Sequence, residues 1–226
     1  MKITFYGHAC FGVELDGVSL LIDPFITPNK LAEGIDINDI KADYILITHG
    51  HEDHVADALS IAQKNNATIV SNFEIVSWFA GLGHDKGHPM NHGGNKDFGS
   101  FSVKYVNAIH SSVLPDGTYG GNPGGFLVRS NGKCVYFAGD TALSYDMKLI
   151  GEFEQLDAAI LPIGDNFTMG IEDACIASEF IQCNKIIGMH FNTFPYIEID
   201  TEYAVEYFRK RERELILLTI GDNLKI

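Results

Sequence analysis

The chain has 226 residues, with 16 Lys+Arg against 30 Asp+Glu, a formal charge of -14 with histidine neutral. That balance opposes a nucleic-acid partner, because non-specific affinity for phosphates comes mainly from Lys and Arg. Hydrophobic residues at 46% and charged residues at 20% mark a folded globular chain, the length suits one domain over 1–226, and no apolar run approaches the roughly 18 residues of a bilayer span. In chain order, Ile3–Tyr6, Phe11–Leu15 and Val18–Ile22 are β-rich runs, and Leu15-Asp16-Gly17-Val18 reads as a tight hairpin turn. The apolar run Tyr44–Ile47 precedes a helix over Ala56–Lys64, a strand at Thr68–Ser71 and an amphipathic segment over Phe73–Leu82. Gly81–Gly99, rich in Gly, His and Asn, reads as a loop with at most one short strand. The second half repeats the plan, with strands at Ser102–Asn107, Gly125–Val128 and Cys134–Phe137 and a helical region at Ser144–Glu154. Strand Ala158–Leu161, helix Ile171–Ile181, strand Lys185–Met189, helix Thr201–Arg211 and a terminal strand at Ile216–Leu218 follow. Hairpins followed by βα units thus occur twice. The expected fold is an α/β, four-layer αβ/βα sandwich, in which two mixed sheets pack face to face and helices cover their outer faces.

Cys10, Cys134, Cys175 and Cys183 form no C-x-x-C pair and lie mostly in apolar stretches, as the free thiols of a reducing cytoplasm do. The start MKITFYGH lacks the basic n-region and apolar h-region of a secretion signal. The basic residues Arg209, Lys210, Arg211 and Arg213 alternate with Glu206, Glu212 and Glu214, which describes a solvated helix end. A cytoplasmic protein with neither a nucleic-acid nor a membrane partner is expected, and association into a homo-oligomer is compatible with this composition.

The informative segment is Thr48-His49-Gly50-His51-Glu52-Asp53-His54, an H-x-H-x-D-H run placed directly after an apolar strand. Alternate side chains of extended backbone share a face, so His49 and His51 can converge on one cation while Asp53 and His54, beyond the bend, reach a second. Imidazole and carboxylate are ligands that a zinc-like ion accepts. Four local ligands do not complete two sites, and the motif therefore predicts further His or Asp residues at the ends of later strands. His110, Asp140 and His190 each end an apolar run, where α/β sheets present their site loops.

On these residues the chain resembles the metallo-β-lactamase superfamily over nearly its whole length. THGHEDH matches that superfamily's main metal motif, and His110, Asp140 and His190 match its later ligand positions. The resemblance implies that His49, His51 and His110 hold one metal, that Asp53, His54 and His190 hold the other, and that Asp140 bridges them. GHACF, GNPGGFLV, YFAGDT and HFNTFP are similar to segments of a compact bacterial and archaeal subgroup of metal-dependent hydrolases related to the ascorbate-6-phosphate lactonases. The subgroup's fold is the sandwich inferred above. Two divalent ions are implied, with zinc first and Mn, Fe or Ni as alternatives.

His8 ends the first strand and lines the expected cleft as a hydrogen-bond donor or proton shuttle. Asp23 follows the third strand and either orients a metal-bound histidine or caps a turn. Asn166 and Asn192 are candidates for presenting amides to substrate, and His92 for reaching the cleft from its Gly-rich loop. Asp53 is the candidate for orienting an attacking water and taking its proton. Asn29, Asn91, His92 and Asn192 beside Phe25, Phe191 and Phe194 suit a small polar molecule, and a small lactone, ester or phosphoester is the expected substrate, with a phosphorylated sugar lactone one candidate by resemblance. The alternatives are a phosphodiesterase or nuclease-type hydrolase on the same cations, and a metal-dependent sensor without turnover.

Overall fold

A computed structural model describes all residues, Met1–Ile226. The opening alternation of buried and exposed side chains builds the antiparallel strands β1 (Lys2–Gly7), β2 (Cys10–Glu14) and β3 (Ser19–Ile22), with Ile3 opposite Val13 and Phe5 opposite Phe11. Parallel strands β4 (Tyr44–Leu46), β5 (Thr68–Asn72) and β6 (Gly87–Met90) continue the sheet, linked through helices α1 (Glu52–Val55), α2 (Ala58–Asn65) and α3 (Phe73–Gly81). The second sheet begins with antiparallel strands β7 (Asn95–Asp97), β8 (Ser102–Asn107), β9 (Gly124–Ser130) and β10 (Lys133–Phe137). It continues in parallel through β11 (Ala158–Pro162), β12 (Lys185–Met189) and β13 (Glu214–Ile216), connected by α4 (Met147–Phe153), α5 (Ile171–Phe180) and α6 (Thr201–Arg209). The last strand, β14 (Asn223–Lys225), returns to the first sheet beside β1. Each sheet has seven strands, in the orders β14-β1-β2-β3-β4-β5-β6 and β13-β12-β11-β10-β9-β8-β7.

Three apolar clusters account for the expected four layers. Between the sheets, Phe5, Phe11, Leu20 and Ile22 of the first meet Tyr105, Phe126, Val135 and Phe137 of the second. Outside the first sheet, Leu21, Ile45 and Ile69 pack on Ile61, Ala62 and Phe79 of α2 and α3. Outside the second, Tyr136, Ala159 and Ile186 pack on Ile150, Ala174 and Phe208 of α4 to α6. No helix is long and apolar enough to cross a membrane.

Several boundaries differ from the sequence reading. Gly81–Gly99 holds two strands, β6 and β7, where one at most is expected. Both are edges of their sheets, so polar side chains and Pro89 are tolerated and no alternating apolar pattern marks them. The strand expected at Ile216–Leu218 lies at Glu214–Ile216, and the polar edge strand β14 carries too little periodicity to be seen. The helix expected over Ala56–Lys64 begins only at Ala58, after the separate turn of α1. Asp57 interrupts the two because its buried carboxylate accepts from the backbone N–H groups of Ile26 and Thr27, at 2.6 and 2.8 Å.

Candidate metal centre

Strand ends from both sheets converge on one point. His8 follows β1, Asp23 follows β3 and the Thr48–His54 run follows β4, while His110, Asp140 and His190 follow β8, β10 and β12. His51 keeps extended backbone (φ -65°, ψ 149°) as the residue before α1, and Asp53 and His54 then lie within that helical turn. Gly139 makes the approach of Asp140 possible. Its φ is +63°, and a Cβ there would stand 2.7 Å from Thr48 Cβ.

Two groups of donor atoms, each within 4.8 Å of one another, contain six of the expected ligands, and a third, Asp23 with His49 and His54, links them. In the first, the rings of His49, His51 and His110 stand nearly perpendicular to one another, at 81°, 87° and 77°. His49 Nε2 is 3.0 Å from His51 Nδ1. The second contains Asp53, His54 and His190, together with His8. Asp140 lies between them, its Oδ2 2.9 Å from His190 Nε2, 3.4 Å from His54 Nε2, 3.5 Å from His110 Nε2 and 3.9 Å from His49 Nε2. A concavity of about 530 Å³ opens beside β1 to β3, between Thr4 and Lys41, and contains no imidazole.

The surrounding hydrogen bonds set the tautomers. Asp23, 1% exposed, accepts from Thr48 N–H at 2.8 Å, from the Thr48 hydroxyl at 2.6 Å and from His54 Nδ1 at 2.9 Å. The Thr48 hydroxyl has one proton and gives it to Asp23, so in its 3.0 Å contact with His49 Nδ1 the imidazole is the donor. Nε2 of both His49 and His54 is therefore left to face the cluster, as metal ligation requires. His8 Nε2–H donates to Asp53 Oδ2 at 3.0 Å, and its Nδ1 meets the Thr193 hydroxyl at 2.9 Å. Among the sequence candidates for His8, this geometry is that of a donor which orients Asp53.

The protonation pattern follows from burial and from these neighbours. Burial lowers His8 to about 4, against the attraction of Asp53. It also lowers His49, His51 and His110, with nearby imidazoles adding to the effect. Burial opposes the charge on His54 and His190 as well, but Asp140 and Asp53 outweigh it, raising His54 well above the usual range and His190 to about 9. In turn, burial is overcome at Asp53 and Asp140, which the imidazoles hold well below the carboxylate range. At Asp23 burial prevails and pushes the carboxyl up, despite His54 and Thr48. Without a metal, the two carboxylates of Asp53 and Asp140 are thus answered by protons on His54 and His190.

The donor set fits a cation. The buried His54 Nε2 and His190 Nε2 lie close to Asp140 Oδ2 but not in hydrogen-bond geometry, and Asp140 Oδ1 has no partner; such atoms are costly to bury unless something else coordinates them. None of the three candidate substrate contacts makes a hydrogen bond to this cluster. His92 stacks on Tyr105, with its Nε2 2.8 Å from the Pro123 carbonyl. Asn192 Oδ1 accepts from Ile199 N–H at 2.8 Å and so closes its own loop. Asn166 is exposed at a left-handed turn after β11, with φ 56°. Thr48 and Thr193, which position His49 and His8, were not among the sequence candidates. Their hydroxyls beside THGHEDH and HFNTFP were the available signal.

Comparison with known proteins supplies the family. Residues 2–190 match the family model described as a beta-lactamase superfamily domain. A UPF0173 metal-dependent hydrolase of Flavobacterium johnsoniae is 58% identical over 226 residues, covering 100% of both chains. Igni18, a metallo hydrolase of the hyperthermophilic archaeon Ignicoccus hospitalis, is 34% identical with a TM-score of 0.90, over 100% of this chain and 98% of that one. An isothiocyanate hydrolase from Delia radicum gut bacteria shares the fold at 18% identity and a TM-score of 0.80, over 100% of this chain and 99% of that one. The chain belongs to the beta-lactamase superfamily and, within it, to the UPF0173 family.

Proposed function

We propose that this protein is a cytoplasmic, single-domain hydrolase whose centre holds two divalent cations, zinc first, and which cleaves a small lactone, ester or phosphoester. The observation that carries this reading is the place of Asp140, whose Oδ2 lies within 4 Å of imidazole nitrogens from both histidine groups. A carboxylate so placed could be shared by two cations, and seven potential ligands exceed what one tetrahedral ion takes. His49, His51 and His110 would hold one ion, and Asp53, His54 and His190 the other. When bound, such ions supply Lewis acidity to a carbonyl or phosphoryl oxygen and make water more acidic. The four cysteines are free and buried, which supports a reducing compartment.

The protein's own groups then supply orientation and proton transfer. Asp53 has a side-chain exposure of 27% against 3% for Asp140, so Asp53 is the carboxylate that solvent reaches. It orients the attacking water and accepts its proton, while the His8 Nε2–H bond fixes the carboxylate's rotation. The deciding experiment joins elemental analysis of gently purified protein to a hydrolase screen with chelation and metal add-back. Two metals per chain and chelator-sensitive turnover are expected. A content that never exceeds one metal after reconstitution refutes the dinuclear centre, and turnover indifferent to chelator refutes metal-dependent hydrolysis.

A further inference from the structure

We infer that the substrate is an uncharged ester or lactone carrying an apolar acyl or aryl group, which aromatic side chains at the mouth of the centre hold. This rests on the hydrolase reading above and narrows it. The loops that leave the ligand-bearing strand ends, residues 47–57, 108–123, 138–146, 163–170 and 190–200, contain no Lys or Arg. They do contain Asp116, Asp165, Glu198 and Asp200, all exposed. Of the lysines in the β3–β4 connection, Lys30 is exposed and Lys41 lies at the opposite end of the sheet, before β4. Beside Lys30, these loops supply no second Lys or Arg to complete the clamp that a phosphate on the substrate, beyond the bond being cleaved, calls for, and they present carboxylates instead.

Those same loops expose large apolar side chains on both sides of the cluster. On the His110 side, Ile109, Val113 and Tyr119 are 54%, 46% and 60% exposed. Val113 and Tyr119 form an antiparallel bridge, and Ser111 of this loop lies 3.3 Å from His51 Nε2. On the His190 side, the rings of Phe167 and Tyr196, 54% and 75% exposed, meet at 6.1 Å. Phe194, two residues before Tyr196, has its ring 5.3 Å from that of His8. Phe194 thus brings an aromatic ring to the residue that orients Asp53, in the same loop as the exposed Tyr196. The polar candidates for recognising a sugar are partly committed to backbone: Asn29 Oδ1 caps its own 3-10 turn while its buried Nδ2 has no partner, Asn192 Oδ1 accepts from Ile199 N–H, and His92 Nε2 meets the Pro123 carbonyl. An exposed apolar group of this kind, continuous with a reactive centre, serves as a binding surface. In the reaction the water oxygen bonds the acyl carbon, the acyl C–O bond breaks, and one water proton passes to the departing oxygen while the other stays with the acid, giving a carboxylic acid and an alcohol.

The test uses zinc-reconstituted protein and three esters of one leaving alcohol, with acetyl, hexanoyl and phosphate-bearing acyl groups. Hexanoyl should exceed both others in kcat/KM by about tenfold or more. The exposed double variant F167S/Y196S should lose about tenfold on hexanoyl and stay within about twofold on acetyl. Preference for the phosphate-bearing ester, or equal losses on acetyl and hexanoyl, overturns the inference. No chelator-sensitive turnover of any ester means instead that the hydrolase reading has failed, and the surface is then read by saturation-transfer NMR with hexanamide. Contacts weakened in F167S/Y196S support an apolar site, and contacts unchanged in it overturn one. A wild-type oligomer that dissociates in the double variant, with the ester ratio unaltered, assigns these side chains to an interface between copies and likewise overturns the proposal.

Discussion

Asp23→Asn isolates the hydrogen bonds that set the histidine tautomers, because the substitution is isosteric and Asn tolerates the left-handed φ of 44° found there. The carboxylate accepts three bonds: Thr48 N–H on Oδ1, and the Thr48 hydroxyl and His54 Nδ1–H on Oδ2. An amide has one acceptor oxygen. With its NH2 in the Oδ1 place it opposes the Thr48 N–H; with its NH2 in the Oδ2 place it drives His54 to the tautomer that carries a proton on Nε2, the atom facing Asp140 at 3.4 Å. Either outcome leaves a buried donor unpaired or a ligand blocked. Loss of such a partner should weaken metal binding about 10- to 100-fold, or about 1.4–2.7 kcal/mol, and destabilise the metal-free protein by about 1–3 kcal/mol. Competition against a chromophoric chelator reads the first quantity and urea denaturation of the metal-free protein the second. Wild-type affinity at both sites, together with an unchanged midpoint, would refute the assignment of Asp23.

Other outcomes follow from the same geometry. Asp140→Ala should release one of two bound ions and lower kcat/KM by at least about 100-fold, whereas His8→Ala should keep both ions and lose about tenfold; equal losses with metal content intact contradict these roles. Metal uptake at pH 7 should expel protons, since His54 is raised well above the usual range and His190 to about 9 in the metal-free protein. Affinity should therefore rise with pH up to about 9, and titration calorimetry in buffers of different ionisation enthalpy that shows no proton release sinks the point. The sign for stability is opposite: a raised histidine stabilises the metal-free fold most below its unfolded value of about 6.5, and this contribution fades as pH climbs through about 9. Gly139→Ala, at φ +63° with Thr48 2.7 Å from the new Cβ, should cost about 1–3 kcal/mol and lower the melting temperature, and an unchanged melt would show that the turn relaxes freely.

The two-sheet plan and the histidine cluster were legible because each leaves a local pattern. Strands buried on both faces, such as Ala158–Pro162, read as unbroken apolar runs, and polar residues that end such runs stand out. Thr48–His54 places its imidazoles and carboxylate within one strand-to-helix turn, so the spacing itself carries the geometry. Edge strands β6, β7 and β14 leave no such trace, because they are short and one edge needs no apolar neighbour. The local bonds of the polar loop residues were hidden for a different reason. Asn29, Asn91 and Asn192 resemble substrate contacts by type, yet their side-chain oxygens accept from Leu31, His92 and Ile199 N–H. Residue type shows what a side chain can bond, whereas only the fold shows whether its own backbone reaches it first.

Backbone conformation ties the centre to the packing of the two sheets. His8, Asp23 and His190 have φ of 56°, 44° and 56°, a left-handed region that costs a non-glycine residue of order 1–2 kcal/mol. Glycine would relieve that strain but would remove the imidazole or carboxylate that each position supplies. His8 and His190 share it across the interface, since His190 N–H donates to the His8 carbonyl at 2.9 Å and so joins the end of β1 in one sheet to the end of β12 in the other. The apolar layer between the sheets, Phe5, Phe11, Phe126 and Phe137 among it, thereby sets the spacing of ligands that no single strand holds. Strain at the strand ends persists because the close-packed interior behind them over-determines where those ends lie.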